Sequence, residues 1–440
     1  METTKNFFRN QTLTTKIVIV VVLTLLMLIP IGMVKSLIQE REGNKLAEQT
    51  EMSNRWGGRQ LLTGPVLVLP LKKDINEKGI ASSFIYYLPD EYKVTGDIKP
   101  EERTRGIQKI LSYQSAMHFE GKFVSPDCSK LAIDQSTILW DEAYVVMGIS
   151  NLQGVKNKIV FNLNGSPQEI LANVGDNDLI RSGVMVKMPL SSADMVKSYN
   201  FDFDLVLNGT DGLHFLPIGK QTSVHLKSTW KSVAYTGDYV PTEKSDIKDG
   251  IDAQWDIFDY NRSYTQMWVG KNDSFGSNKL GLDLLLPVDH YQKTMRAVKY
   301  AIMFIALTFL VFFMVELLSK KRIHPVQYLL VSFVLILFYS LLLALSEHIG
   351  FDWSYLVSAL AIVLLITAYS HSIFKSKKET VFMGIFLSGL YVFLYVVIQL
   401  EDMALLLGSI GLFIALATVM FVSRKINWYK DDGVLEQPVD

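Results

Sequence analysis

The sequence predicts a membrane protein with six α-helical transmembrane spans and a large β-rich extracytoplasmic domain between spans 1 and 2. Three observations support this fold class. Hydrophobic residues make up 49% of the chain and concentrate in one run near the N-terminus and in runs after Tyr300. The region between these runs alternates apolar and polar side chains, as strands with one buried face do. Lysine and arginine are confined to alternate short loops, which is typical of a multi-pass helical protein.

The bounds of the predicted domains follow from the positions of the apolar runs. We expect a cytoplasmic N-terminus, a transmembrane anchor, an extracytoplasmic β-rich domain with an N-terminal helical stalk, a five-helix transmembrane bundle and a cytoplasmic tail. In that order, they comprise residues 1–16, 17–34, 35–296, 297–422 and 423–440.

The overall composition excludes several classes of protein. A formal net charge of −1 indicates neither nucleic-acid binding nor a polybasic membrane-surface role. The single cysteine, Cys128, excludes an intrachain disulfide and a cysteine-based metal cluster. We interpret Cys128 as a small semi-buried side chain, because no His or Asn signature of a catalytic thiol accompanies it.

The first apolar run, residues 17–34, contains only Thr24 as a polar residue. It is longer than the apolar region of a secretory signal peptide, and no A-x-A-like cleavage site follows it. We therefore expect an uncleaved anchor whose N-terminus is cytoplasmic. Residues 37–52 have high helix propensity and mixed charge, so a helical stalk is expected to follow the anchor.

The central region carries strand and turn signals. Strands are predicted at residues 66–70, 84–88, 201–207 and 223–227, and turns at Asn-Gly, Asp-Gly and Gly-Asp pairs such as Asn208-Gly209. These signals favour an antiparallel β-rich domain. Two packed sandwiches divided within residues 151–164 are one arrangement that fits the pattern.

Five apolar runs follow the β-rich region, each about as long as the 20 residues that a helix needs to cross a bilayer. They comprise residues 300–318, 328–345, 355–373, 381–400 and 404–422. Cations follow the first, third and fifth of these runs, whereas the loops at 348–353 and 401–403 contain no Lys or Arg. Both termini are therefore expected in the cytoplasm and the large domain on the opposite side.

Ionisable groups at membrane depth are the first candidates for function. Glu316 lies near the end of its span, where either an i,i+4 pair with Lys320 or a functional role explains it. Glu347 and His348 end the next span. Adjacent residues point in different directions on a helix, so these two form either a solvated helix end or a proton-linked or headgroup-binding site.

The β-rich region offers weaker candidates. Arg105 belongs to a charged run in which a solvated strand connection is the plainer interpretation and contact with an anion or lipid headgroup the alternative. Trp230, Trp255 and Trp268 either line a sugar-binding face or belong to the core, and the core is the commoner place for such side chains.

Motifs for several reactions are absent from the sequence. It contains no G-x-x-x-x-G-K-[ST], no H-E-x-x-H and no G-x-S-x-G. ATP-driven transport, zinc proteolysis and α/β-hydrolase chemistry therefore lose their usual sequence support. No catalytic residue, cofactor or metal ion is predicted.

Long ordered strings in the second half of the chain resemble the CreD family of bacterial inner-membrane proteins, which is associated with cell-envelope integrity. These strings begin at Lys299, His324, Phe338 and Glu401 and include Glu316, Glu347 and His348. Gly64-Pro65 and Arg105-Gly106-Ile107 extend the resemblance more thinly into the β-rich region. The resemblance implies a bacterial inner membrane, a periplasmic β-rich domain and an envelope role. It supplies no catalytic residues.

Two functions fit these observations. The first is a non-enzymatic protein whose β-rich domain binds an envelope component or a protein partner, with membrane lipids around the spans and no nucleic acid. The second is a transporter, flippase or lipid-modifying enzyme that uses Glu347 and His348, with Glu316 at the other end of the bundle. A deep polar cavity among the last five spans favours the second function. An apolar bundle with a groove on the β-rich domain favours the first.

Overall fold

A computed structural model describes residues 13–424, except 73, 77–78, 82, 106–107, 125, 127, 132, 191–197, 248–249, 287–289, 320–322 and 401–402. Three parts of the predicted topology lie outside these residues. They are the cations at 320–322, the N-terminus up to residue 12 and most of the tail. The chain divides into a helical unit, residues 1–44 with 288–440, and a β unit, residues 45–287. The divisions fall near the predicted domain bounds of 34/35 and 296/297.

Apolar runs account for the helices of the helical unit. In the described part of the chain the helices are α1 (Leu13–Leu26), α2 (Leu28–Arg55), α3 (His290–Lys299), α4 (Ala301–Leu318), α5 (Pro325–Ile349), α6 (Phe351–Phe374), α7 (Lys377–Gln399) and α8 (Ala404–Ser423). Residues 45–55 of α2 belong to the β unit.

Four helical segments are long and apolar enough to cross a membrane. They are Thr15–Arg55, Pro325–Ile349, Phe351–Phe374 and Lys377–Gln399. A fifth crossing exists if α3 and α4, which meet at a bend of 45°, form one span. Leu406–Thr418 is a shorter apolar helix. The described residues thus give four to five full-length candidates where the sequence predicts six spans.

Strands form most of the β unit. Among the described residues they are β1 (Gln60–Pro70), β2 (Asp74–Asn76), β3 (Gly79–Ala81), β4 (Phe84–Tyr87), β5 (Glu91–Arg105), β6 (Gln108–Phe123), β7 (Tyr144–Ile149), β8 (Phe161–Leu163), β9 (Ser166–Gln168), β10 (Ile170–Leu171), β11 (Gly183–Lys187), β12 (Tyr199–Thr210), β13 (Gly212–Phe215), β14 (Gln221–Ser228), β15 (Val233–Gly237), β16 (Glu243–Ile247), β17 (Gly250–Phe258), β18 (Met267–Val269) and β19 (Leu280–Leu284). The four strands predicted from the sequence are all present.

Two sheets contain all of these strands except the small hairpin β2–β3. The first has the order β10-β11-β7-β1-β13-β19-β15, with β4 and β18 forming a second branch beside β1. The second has the order β16-β17-β14-β5-β6-β12-β8-β9. Most pairs are antiparallel as predicted, but β1 pairs with β13 and β14 pairs with β5 in parallel.

The two sheets share one hydrophobic core. Alternate residues of the central strands are buried in it, such as Val94 and Ile98 of β5 and Phe203 and Leu205 of β12. Strands from both sides of residues 151–164 pair with one another, as β12 does with β6. Residues 151–164 therefore do not divide two sandwiches. Their turn signals connect strands within one two-sheet fold.

The helical stalk predicted at 37–52 is part of α2, which ends in the β unit at a glycine turn. Gly57 adopts φ +97°, and the amide of Gly58 donates to the carbonyl of Ser53 at 2.9 Å. A left-handed glycine just after a helix is a common C-terminal cap. Gln49 of the same helix donates to the carbonyl of Lys109 at 2.7 Å, so this end of α2 is fixed to β6.

Candidate functional site

Glu316 is the most deeply buried carboxylate among the predicted candidates, with 3% of its side chain exposed. It lies on α4 and accepts three hydrogen bonds. The Lys16 ammonium donates at 2.5 Å, the Tyr328 hydroxyl at 3.0 Å and the Ile323 amide at 3.1 Å. A buried carboxylate is stable only when charge and hydrogen bonds replace its lost hydration. This arrangement supplies both.

The structure shows a partner of Glu316 that the sequence did not suggest. Lys320 lies outside the described residues, and the structure places Lys16, three hundred positions away, against the carboxylate. The contact connects α1, α4 and the start of α5. The sequence shows Lys16 just before one apolar run and Glu316 inside another. It does not show that these two runs contact each other. The geometry indicates a structural connection between helices.

Glu347 and His348 do not act as one cluster. Glu347 is half-buried and accepts a hydrogen bond from the buried Tyr291 hydroxyl at 2.8 Å. His348 is exposed. The different directions of the two side chains agree with the expectation for adjacent helical residues. Tyr291 comes from α3, whose residues 290–296 were predicted as part of the β-rich domain.

Two cavities among the helices are apolar. One, of about 500 Å³, lies between α5 and α6 and is lined by side chains such as Phe333, Leu337 and Leu365. The other, of about 510 Å³, lies among α4, α7 and α8. Neither is lined by Glu316, Glu347 or His348.

Two histidines in the helical unit have structural partners. His324 precedes α5 and caps it, because its ring accepts from the Val326 amide at 3.3 Å while Gln327 accepts from the His324 amide at 2.9 Å. His371 lies 3.3 Å from the Thr380 hydroxyl, which connects α6 to α7. These contacts explain the presence of both histidines by structural roles.

Arg105 is exposed at the last position of β5, opposite Gln108. Its neighbour Arg103 is anchored instead. The Arg103 guanidinium donates to Ser112 at 3.0 Å and to Glu101 at 2.6 Å, and it lies 3.8 Å from the centre of the Trp56 ring. Arg103 therefore has a structural role, while Arg105 keeps its donors toward solvent.

A polar groove lies on the solvent face of the eight-stranded sheet, and the sequence analysis did not identify it. It has a volume of about 480 Å³. Strands β14, β5, β6 and β12 run side by side here. One cross-strand row contains His225, Thr95, His118 and Asp204, and the next contains Lys227, Asp97, Ala116 and Val206.

Each side of the groove carries an imidazole paired with a carboxylate. His118 lies 2.8 Å from Asp204, and His225 lies 2.6 Å from Asp252. The Lys227 ammonium is 3.6 Å from the same Asp252. Thr95 and the small Ala116 occupy the floor, between charged, hydrogen-bonding walls. Such a site can both donate to and accept from a polar ligand.

The remaining candidates of the β unit are buried. Cys128 is buried, as predicted for a structural side chain. Trp255 and Trp268 are also buried, which agrees with the core interpretation and not with a sugar-binding face. Trp230 is half-buried and donates to the Leu285 carbonyl at 3.0 Å. Among the described residues, no group of three or more His, Cys, Asp or Glu side chains could hold a metal ion.

His214 is a buried titratable group of the β unit that the sequence did not single out. Its ring lies 2.8 Å from the Thr236 hydroxyl and 3.6 Å from Asp283. Burial lowers the pKa of His214, and the nearby Asp283 carboxylate opposes this effect only in part. Burial therefore makes His214 harder to protonate than an exposed histidine.

Comparisons with known proteins concern nearly the whole chain. The profile of the family described as "Inner membrane protein CreD" matches residues 12–429. A protein of Escherichia coli strain K12 with the same description is 31% identical over 417 residues, which cover 92% of this chain and 91% of that protein.

The similarity to solved structures is weak. A two-domain M1 zinc metallopeptidase bound to L-tryptophan aligns with 44% of this chain and 42% of its own, at 10% identity and a TM-score of 0.21. An M1 zinc metallopeptidase from Deinococcus radiodurans aligns over 38% of both chains, at 9% identity and a TM-score of 0.18. Such scores carry no argument about fold or reaction.

Proposed function

Because this chain belongs to the CreD family of inner membrane proteins, we propose that it contributes to cell-envelope integrity by binding an envelope component through its β unit. The binding surface is the polar groove between the His118–Asp204 and His225–Asp252 pairs. The β unit is periplasmic in this proposal, and the ligand is a polar molecule or segment of the envelope. No chemical step is part of the proposal.

The proposed topology has six spans and cytoplasmic termini. Loop charges support it, since cations follow the spans that end inside and are absent from the loops at 348–353 and 401–403. The bent pair α3–α4 is the second span and α8 the sixth. Twenty residues of α8 are about the length that a bilayer core of about 30 Å requires.

The groove is the observation that carries this proposal. A binding module needs an accessible concave surface with convergent polar groups, and the groove meets this requirement with two imidazoles, three carboxylates and one ammonium group. No Asp, Glu, Lys, Arg or His side chain lines the two cavities described among the helices, which is the arrangement expected of a supporting membrane bundle.

A substitution that fills the groove tests the proposal. Thr95→Trp places a large ring on the groove floor and removes no charge. Lys99→Trp is a matched control, because Lys99 lies on the same face of β5, opposite Gln114 and beyond the groove. Each variant is expressed in a deletion strain at equal membrane levels, and growth is measured under detergent and β-lactam stress. Failure of Thr95→Trp with normal growth of Lys99→Trp is expected.

Transport, flipping or modification of lipids is the second candidate function, because Glu347 is half-buried among the helices and bonded to Tyr291. The same assay includes a Glu347→Gln/His348→Ala double variant. Growth of the double variant and failure of Thr95→Trp support groove binding. The opposite pattern overturns groove binding and favours the membrane reaction.

A further inference from the structure

Three helix ends of the helical unit bring a cation and a carboxylate near each other without pairing them. Lys293 lies on α3, Asp352 in the first turn of α6, and Gln399 is the last residue of α7. The Lys293 ammonium donates to the Gln399 side-chain oxygen at 3.1 Å. The Gln399 side-chain nitrogen donates to Asp352 Oδ1 at 2.7 Å. One amide group thus separates the two charges.

The amide fixes the distance between the charges. The two hydrogen bonds and the width of one amide keep the Lys293 nitrogen and Asp352 Oδ1 within about 8 Å of each other. The Tyr395 hydroxyl also donates to Oδ1, at 3.0 Å, and the Lys293 ammonium lies 5.4 Å from the centre of the Phe351 ring. Both charged groups are therefore held in place by neighbouring side chains.

Each charged group keeps hydrogen-bonding capacity for a ligand. An ammonium has three donors, and the amide of Gln399 uses one of them. Asp352 is exposed, and its Oδ2 accepts no hydrogen bond from the residues that the structure describes. The group can therefore bind one anionic and one cationic substituent of the same molecule, provided that the two are only a few atoms apart.

The surroundings indicate the class of ligand. The three residues lie at the ends of candidate membrane spans. Trp353, 68% exposed, follows Asp352 directly, and Leu356 is 56% exposed one turn later. An exposed Trp at the end of an apolar helix is typical of the headgroup level of a bilayer. The Lys293–Gln399–Asp352 group is therefore expected at the level of the phospholipid headgroups.

We propose that Lys293, Gln399 and Asp352 form a site for a phospholipid headgroup that contains both a phosphate and a primary amine. The phosphate contacts the Lys293 ammonium, and the primary ammonium donates to Asp352 Oδ2. Both contacts are charge-assisted hydrogen bonds, which are stronger than neutral ones. A quaternary ammonium has no N–H to donate, and an uncharged glycerol headgroup has no cation for Asp352.

A competition without any variant tests the ligand class. The full-length protein in detergent is mixed with equal amounts of chain-matched phosphatidylethanolamine, N,N-dimethyl-phosphatidylethanolamine, phosphatidylcholine and phosphatidylglycerol, and bound lipids are counted by native mass spectrometry. The first three have the same charges and differ in N–H donors. Binding is expected to fall stepwise across them, by about three- to tenfold in total. Equal retention of all four lipids overturns the proposal.

Two substitutions then assign the roles of the residues. Asp352→Asn is expected to remove the preference for the primary amine, and Lys293→Met to weaken binding of all the phospholipids. Matched controls are Lys299→Met, an exposed cation on the same helix, and Asp273→Asn in the β unit. A primary-amine preference that persists in Asp352→Asn, or an equal loss of binding in Lys299→Met, contradicts the assignment.

Discussion

Replacing Lys16 by methionine tests whether Glu316 is held as a charged group inside the helical unit. The Glu316 side chain is only 3% exposed, and Lys16 supplies the positive charge that faces it at 2.5 Å. Methionine has about the length and volume of the lysine stem, so it preserves most of the packing and removes the charge. Among the described residues, Glu316 then keeps the Tyr328 and Ile323 donors.

The expected loss of stability is large. Removing one partner of a buried ion pair typically costs about 3–5 kcal/mol, because the other charge stays buried without compensation. Adding Glu316→Gln to Lys16→Met removes the stranded charge, and the amide oxygen still accepts from Tyr328. The double variant is therefore expected to lose less stability than the sum of the two single losses, by about 0.5–3 kcal/mol, since contacting residues have coupling energies of that size.

The measurement is unfolding of the full-length protein in mixed micelles of a mild detergent and dodecyl sulfate, followed by helical circular dichroism. The free energies of unfolding of wild type, both single variants and the double variant form a double-mutant cycle. Lys378→Met is the control, because Lys378 is exposed at the start of α7 and such substitutions usually change stability by less than about 0.5 kcal/mol. Additive effects of the two substitutions, or a loss in Lys16→Met no larger than in the control, refute the reasoning.

Three further predictions concern the β unit of the full-length protein. Phe119→Ala is expected to destabilise it by about 3–5 kcal/mol in urea unfolding followed by tryptophan fluorescence, because this ring stacks 4.5 Å from a second buried ring of β12; a loss below 1 kcal/mol contradicts this core assignment. Gly57→Ala is expected to cost more than Gly165→Ala in the same assay, since both glycines have positive φ but only at Gly57 does an added Cβ meet a backbone oxygen, at 2.5 Å. Because burial lowers the pKa of His214, the unfolded state binds more protons and stability is expected to fall as the pH drops through about 6.5; an unchanged pH slope in His214→Gln contradicts this role.

Local sequence signals predicted the elements well. Alternation at residues 201–207 and 223–227 predicted strands with one buried face, which are β12 and β14 in the structure, and apolar runs predicted the helices. The kink between α3 and α4 was not predicted, because residues 290–299 carry three cations and an amphipathic pattern that continues the polar character of the preceding region. Residues 290–296 were therefore predicted as part of the β-rich domain.

The candidate sites depend on pairings that one sequence does not reveal. Glu316 was predicted as a candidate, but its cation comes from the far end of the chain. The groove is built from four strands whose register places His118, Asp204 and His225 in one row. Each of these residues alone is an ordinary polar position on the solvent face of a strand. Only the cross-strand register brings their chemistry together.

The parallel pairing of β1 with β13 affects how this protein can be synthesised. Gln60 of β1 is opposite Leu213, so more than 150 residues must be made before this parallel partner of β1 exists. At about 5–20 residues per second, this takes on the order of 10–30 seconds. During that time β1 can pair with β4 and β7 but not with β13, and a fold with such distant contacts forms slowly. The nascent β unit therefore needs protection from aggregation until residue 284, the end of β19, has been made.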